Sequence, residues 1–161
     1  MSPEEAALVG QAIRVAEGCA RRLGRSQQIL GTVFPLSAKT IGALAPEVED
    51  DLDAFLKRYE QLVSTIHDEL FTVVAMIGHE DIRGLARREV SELMERLGAL
   101  PSAQTFRTLV AIRNRIAHVY PDDPDRQTRN LNDAYDAIPD LLAAYGAVRR
   151  YLEQRLQHPV P

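Results

Sequence analysis

A chain of 161 residues, 45% of them hydrophobic, is near the usual single-domain size and can bury a sizeable core. Nineteen basic residues against 23 acidic ones leave a net charge of −4. That excludes a generic basic nucleic-acid binder and leaves any RNA contact to a local patch, with Arg83, Arg87, Arg88, Arg96, Arg107, Arg113 and Arg115 as candidates. Cys19 is the lone cysteine, so no intramolecular disulfide or cysteine-based zinc site forms, and a reducing cytoplasm is the expected setting. The acidic start, Met1 to Glu5, leads into an amphipathic pattern rather than an apolar signal core, and no export is expected. The most apolar run, Leu70 to Gly78, is too short to cross a bilayer, so no membrane partner is expected.

The periodicity predicts a first helix from Pro3 to Leu23, with Ala7, Leu8, Ile13 and Val15 among its apolar positions and Gly24 as its stop. Residues 24–46 read as an irregular connection or insertion punctuated by Gly31, Pro35, Gly42 and Pro46, with room for a short helix from Ser37 to Leu44. A long helix is predicted from Glu47 to about Gly78. Its apolar positions, Val48, Leu52, Phe55, Tyr59, Leu62, Ile66, Leu70, Val73 and Ile77, recur at spacings of four and three, the pattern of a helix packed lengthwise in a bundle.

Asp81 can cap the next helix, which carries Ile82, Ala86, Val90, Leu93 and Leu97 inward and stops at Gly98 and Pro101. Its arginines are interleaved with Glu89, Glu92 and Glu95, which favours a solvated, internally paired face over a nucleic-acid patch. Another helix begins at Ser102. The run Pro121-Asp122-Asp123-Pro124-Asp125 turns the chain into a last helical stretch carrying Leu131, Tyr135, Ile138, Leu142, Tyr145, Leu152 and Leu156, which Pro139 should break or kink. No strand-period segment and no internal repeat is present. The expected fold is therefore an all-α, up-down helical bundle forming one domain over 1–161, with the helix from Ser102 near its centre.

That helix ends in Arg113-Asn114-Arg115-Ile116-Ala117-His118-Val119-Tyr120, which gathers an arginine, an amide, a histidine and a phenol. At about 100° per residue, Phe106, Leu109, Val110, Ile112, Ile116, Ala117 and Tyr120 form one apolar face with Arg113 in its middle, while Arg115 points the opposite way. Asn114 and His118, four apart, border that face in line with Arg107. A guanidinium on an apolar face needs a partner, either a structural ion pair with a neighbouring helix or a ligand in a cleft. His67, His79 and His158 lack the spacing of a zinc helix, and no metal site is expected. No glycine-rich phosphate loop and no Ser-His-Asp signature is present, and Cys19 reads as an inert small hydrophobe.

Arginine, four residues, histidine, one residue and tyrosine, with asparagine directly after the arginine, resembles the signature of HEPN domains, in particular the HepT-like branch of toxin ribonucleases. Phe106, the run Leu109-Val110-Ala111-Ile112 and the downstream Ile138-Pro139-Asp140-Leu141-Leu142 extend the resemblance over roughly residues 50 to 157. Val119 and Pro121 depart from it, and Pro121 disfavours the α conformation at Tyr120.

The resemblance implies a metal-independent endoribonuclease without a cofactor, acting as a homodimer whose two motifs line one cleft. Arg113 and His118 would then be catalytic, Asn114 could orient the imidazole or the phosphate, and Arg107 and Arg115 of the local basic patch would contact RNA. The chemistry agrees: 2′-hydroxyl attack needs a proton carrier near neutral pH and a cation for the charge building on phosphorus. In one chain the two groups lie about 140° apart around the helix, which favours a site shared between two copies. The resemblance also implies a cognate antitoxin, a small nucleotidyltransferase that attaches adenylate to Tyr120. The plainer reading of Tyr120 is a helix-end aromatic with a wet hydroxyl. The alternative function is a non-catalytic helical module that docks a nucleotidyltransferase or a nucleotide. A third reading is a scaffold in which Arg113 and His118 only satisfy each other at an interface.

Overall fold

In the computed structural model, residues 1–118 and 122–157 are described, and every regular element among them is helical. Helix α1 runs from Pro3 to Ile29, α2 from Ala38 to Ile41, α3 from Pro46 to Thr65, α4 from Phe71 to Ile77, α5 from Arg87 to Arg96, α6 from Ala103 to Ile116, α7 from Pro124 to Asp136 and α8 from Ile138 to Gln157. Helix α1 packs on α3 and α8. Helix α6 lies across the core from α1, against α3, α5, α7 and α8. One continuous apolar core joins the long helices, centred on side chains sealed from solvent such as Phe55, Tyr59, Phe71, Met94, Phe106 and Ile138.

Sequence and structure differ at several helix ends, each for a local reason. Helix α1 does not stop at Gly24. It runs on to Ile29 because Leu23, Ser26 and Leu30 keep a buried face there, and one glycine inside a long, tertiary-packed helix costs only about 1 kcal/mol. Its buried stripe is Val9, Ala12, Ile13, Ala16, Cys19, Ala20 and Leu23, whereas Leu8 and Val15, apolar in sequence, face outward. Asp81 caps no helix: its carboxylate takes the backbone and guanidinium of Arg83. Gly84 then enters the left-handed region at φ 82°, which breaks any helix there. Helix α5 therefore starts at Arg87, with the Glu89 carboxylate accepting from the Ala86 N–H at 2.7 Å, and Ala86 is exposed rather than inward.

The long third helix is present from Pro46 to Ile77 but is not uniform. Residues Ile66–Leu70 widen into a π-turn between α3 and α4. The apolar spacing foreshadows it, since Leu62, Ile66 and Leu70 are two successive steps of four where the pattern otherwise alternates, and the wider turn keeps Ile66 and Leu70 both fully buried. The break expected at Pro139 falls at Ala137, which separates α7 from α8 and leaves Pro139 in the first turn of α8, where its missing N–H is harmless.

Residues 24–46 are more ordered than their sequence suggests. Phe34 stacks on Tyr135 with ring centroids 4.1 Å apart, and the Tyr135 hydroxyl donates to the Gln27 carbonyl at 2.9 Å. Asn132 clamps Leu36 at both backbone groups, accepting from its N–H at 2.8 Å and donating to its carbonyl at 2.9 Å. The segment is thus a strap tied to α7.

Candidate functional site

Helix α6 opens with Ser102 as cap, its hydroxyl accepting from the Thr105 N–H at 3.1 Å, and buries Ala103, Phe106, Leu109 and Ile112. Phe106 lies against Phe71 at 5.0 Å, and the buried Tyr59 hydroxyl reaches the Leu109 carbonyl at 3.4 Å. Burial pushes the Tyr59 phenol far above its ordinary range. These contacts fix α6 against α3 and so decide what Arg113 meets.

Arg113 turns toward α3. Its Nη2 donates to the Ser64 hydroxyl at 3.3 Å and stands 3.9 Å from Glu60 Oε1, while Nη1 donates to the Asn114 side-chain oxygen at 3.0 Å. The side chain is 24% exposed, and its buried Nε–H finds no acceptor among the described residues. The guanidinium therefore has a structural partner, as the ion-pair reading expects, but an incomplete one: 3.9 Å is an ion-pair distance, not a hydrogen bond. It borders a depression of about 260 Å³ between α3 and α6, lined by Asp53, Leu56, Lys57, Glu60, Arg113, Ile116 and Ala117.

The other candidates spread around the helix end. The α-helix stops at Ile116 with Ala117 as its cap, so His118 sits just past the helix rather than on a fourth-residue ladder with Asn114. His118 is exposed and borders a smaller dent of about 30 Å³ with Leu56, Ile116, Gln127, Asn130 and Leu131. Ile116 and Leu56 line both concavities. Within one chain, then, Arg113 and His118 open on neighbouring concavities rather than on one.

Arg115 points toward α7, where it pairs with Asp133 at 3.0 Å, and Arg107 points toward α5, pairing with Glu92 at 2.9 Å and bonding Gln104. The three arginines of α6 thus serve three sides of the helix, and these two already hold carboxylates. Arg88 shares Glu92 at 2.9 Å and Arg83 pairs with Asp81 at 2.8 Å, which is the internally paired face expected for that charged stretch. The arginines beside it hold the Glu92 carboxyl below its ordinary range. Tyr120 and His158 lie outside the described residues.

Asp53, Lys57, Glu60 and Ser64, which surround Arg113 from α3, were not singled out by sequence. Their spacing of four, three and four runs parallel to the apolar stripe, but such a pattern also describes any solvated helix face. Cys19 is buried beside Thr65, as a small hydrophobe would be. Among the described residues no three His, Cys, Asp or Glu side chains come together as a metal would need, and no helix is long and apolar enough to cross a membrane. No family model, no curated protein and no solved structure matches the chain.

Proposed function

We propose that this chain is an endoribonuclease that needs no metal, the toxin of a toxin–antitoxin pair acting in the cytoplasm, with Arg113 and His118 as its catalytic residues. The observation that supports it most is Arg113 itself: a mostly buried guanidinium with an unmet Nε–H, at the rim of a concavity and five residues from a histidine. An arginine placed only to hold two helices together would have its hydrogen bonds met.

In the proposed reaction the RNA 2′-hydroxyl oxygen attacks the adjacent phosphorus and its proton passes to the His118 imidazole. The bond from phosphorus to the 5′-oxygen breaks, and that oxygen takes a proton back from the imidazolium, leaving a 2′,3′-cyclic phosphate and a free 5′-hydroxyl. Arg113 offers its fork to the non-bridging oxygens as charge builds on them. Because Arg113 lines one concavity of a chain and His118 the other, a homodimer that sets Arg113 of one copy opposite His118 of the other serves this step better than a monomer. Asn114, bonded to Arg113, is a positioning residue. A small nucleotidyltransferase antitoxin that adds adenylate to Tyr120 would silence the site by placing bulk and negative charge where RNA phosphate binds.

A second reading is favoured by the contacts of Arg113 with Ser64 and Glu60, which give it a role in packing: a module that docks a nucleotidyltransferase or a nucleotide without cutting RNA. RNA cleavage by the purified chain in excess EDTA, beside His118→Ala and Arg113→Ala variants with unchanged folding and oligomeric state, separates the two. Cleavage by the wild type alone, with cyclic phosphate ends, is expected. No cleavage by any of the three, from protein whose Tyr120 carries no adduct by mass spectrometry, overturns the ribonuclease reading.

A further inference from the structure

Glu60 holds a position between two cations from different helices. Its Oε2 is 3.4 Å from Lys57 Nζ on its own helix, and its Oε1 is 3.9 Å from Arg113 Nη2 on α6. All three side chains line the same 260 Å³ depression, which falls just short of the volume of a typical small-molecule pocket and suits a phosphate group. The carboxylate meets neither cation well. A guanidinium engaged by an oxyanion normally sits about 2.8 Å from it, often through two bonds, whereas here one contact is more than 1 Å longer and Nε–H has no acceptor among the described residues. Glu60 and Lys57 are 40% and 65% exposed, so either can change rotamer at little cost.

We propose that this depression is a phosphate subsite for an RNA strand, formed by Arg113 and Lys57, and that in the free protein Glu60 acts as its internal anion, displaced when RNA binds. A tetrahedral phosphate offers several oxygens and can engage the arginine fork and the lysine ammonium together, which one flat carboxylate does not do here. Asp53, at the rim, keeps the depression from being uniformly positive, so anions are held by aimed donors rather than by general charge. This deepens the ribonuclease reading and rests on it for the identity of the strand, but it concerns binding and not the cleavage step.

The test is anisotropy of a labelled 2′-O-methyl oligoribonucleotide, which binds but has no 2′-hydroxyl to attack, on the full chain at low salt, with inorganic phosphate as competitor. Removing a unit negative charge about 4 Å from a bound anion in a watery site corresponds to about a fivefold change in affinity. Glu60→Gln should therefore tighten oligonucleotide binding about fivefold, and Lys57→Ala should weaken it by a similar factor, both with wild-type melting curves. Glu47→Gln, on the same helix about 20 Å away, changes net charge equally and should leave binding unaltered.

Equal tightening by Glu47→Gln and Glu60→Gln, or an unchanged affinity in both Glu60→Gln and Lys57→Ala, overturns the proposal. Binding of inorganic phosphate without any binding of the oligonucleotide overturns the assignment to RNA. If cleavage fails in EDTA while Glu60→Gln still tightens binding, the catalytic reading falls and the subsite stands.

Discussion

Arg113→Met separates a residue kept for structure from one kept for chemistry. The substitution preserves an unbranched apolar stem and removes the guanidinium. What it forfeits is a partly exposed ion pair at 3.9 Å and hydrogen bonds to Ser64 at 3.3 Å and to Asn114 at 3.0 Å. The pair contributes about 0 to 1 kcal/mol and the two hydrogen bonds about 1 kcal/mol each. What it relieves is a buried Nε–H without an acceptor, a penalty of about 1 to 3 kcal/mol. The net change in unfolding free energy should lie within about 2 kcal/mol of zero and can be favourable, so in thermal denaturation the midpoint should move by no more than a few degrees. Cleavage, by contrast, should fall by about 10² to 10³, the usual cost of deleting one donor to a developing oxyanion. Urea denaturation monitored by circular dichroism, run beside the EDTA cleavage assay, measures both. A loss of more than about 4 kcal/mol would instead make the arginine a structural tie whose partners are costly to abandon.

Other consequences are local. Asn132→Ala deletes both bonds to the Leu36 backbone, so amide exchange should accelerate across residues 33–41 while α3 and α6 stay protected, with a stability loss of about 1 to 3 kcal/mol. Gly84→Ala meets no atom within 4 Å but must adopt φ 82°, so it should cost about 1 to 2 kcal/mol in urea titrations through backbone strain alone. The Glu92 carboxyl should titrate by NMR below its ordinary value of 4.5, and Arg88→Ala should move it upward. Since the folded value is the lowered one, the contribution of this pair to stability is complete at neutral pH and fades as pH falls below 4.5 through the depressed value.

That the chain is helical, and where its long helices lie, is legible in the residues alone. Periodicity is a property of each segment alone: Leu52, Phe55, Tyr59 and Leu62 declare a buried stripe whichever helix covers it. Asp123 with Pro124, and Ser102, likewise announce helix starts because a cap acts within one turn. Helix ends were less legible. Gly24 lies inside α1 because the core extends past it, and Asp81 was drawn to Arg83 rather than to a helix, both outcomes of competition among neighbours.

The candidate site divides in the same way. The sequence set Arg113 among apolar residues and His118 close behind, and so showed which side chains have chemistry to offer. Helix packing alone turned Arg113 toward Glu60, Ser64 and Lys57 on α3, tied Arg107 and Arg115 to Glu92 and Asp133, and gave Arg113 and His118 different concavities within one chain. Pairings between residues about 50 positions apart depend on how two helices are rotated against each other. That rotation is set by the fit of Phe71, Phe106 and Tyr59 in the core, which no single helix encodes.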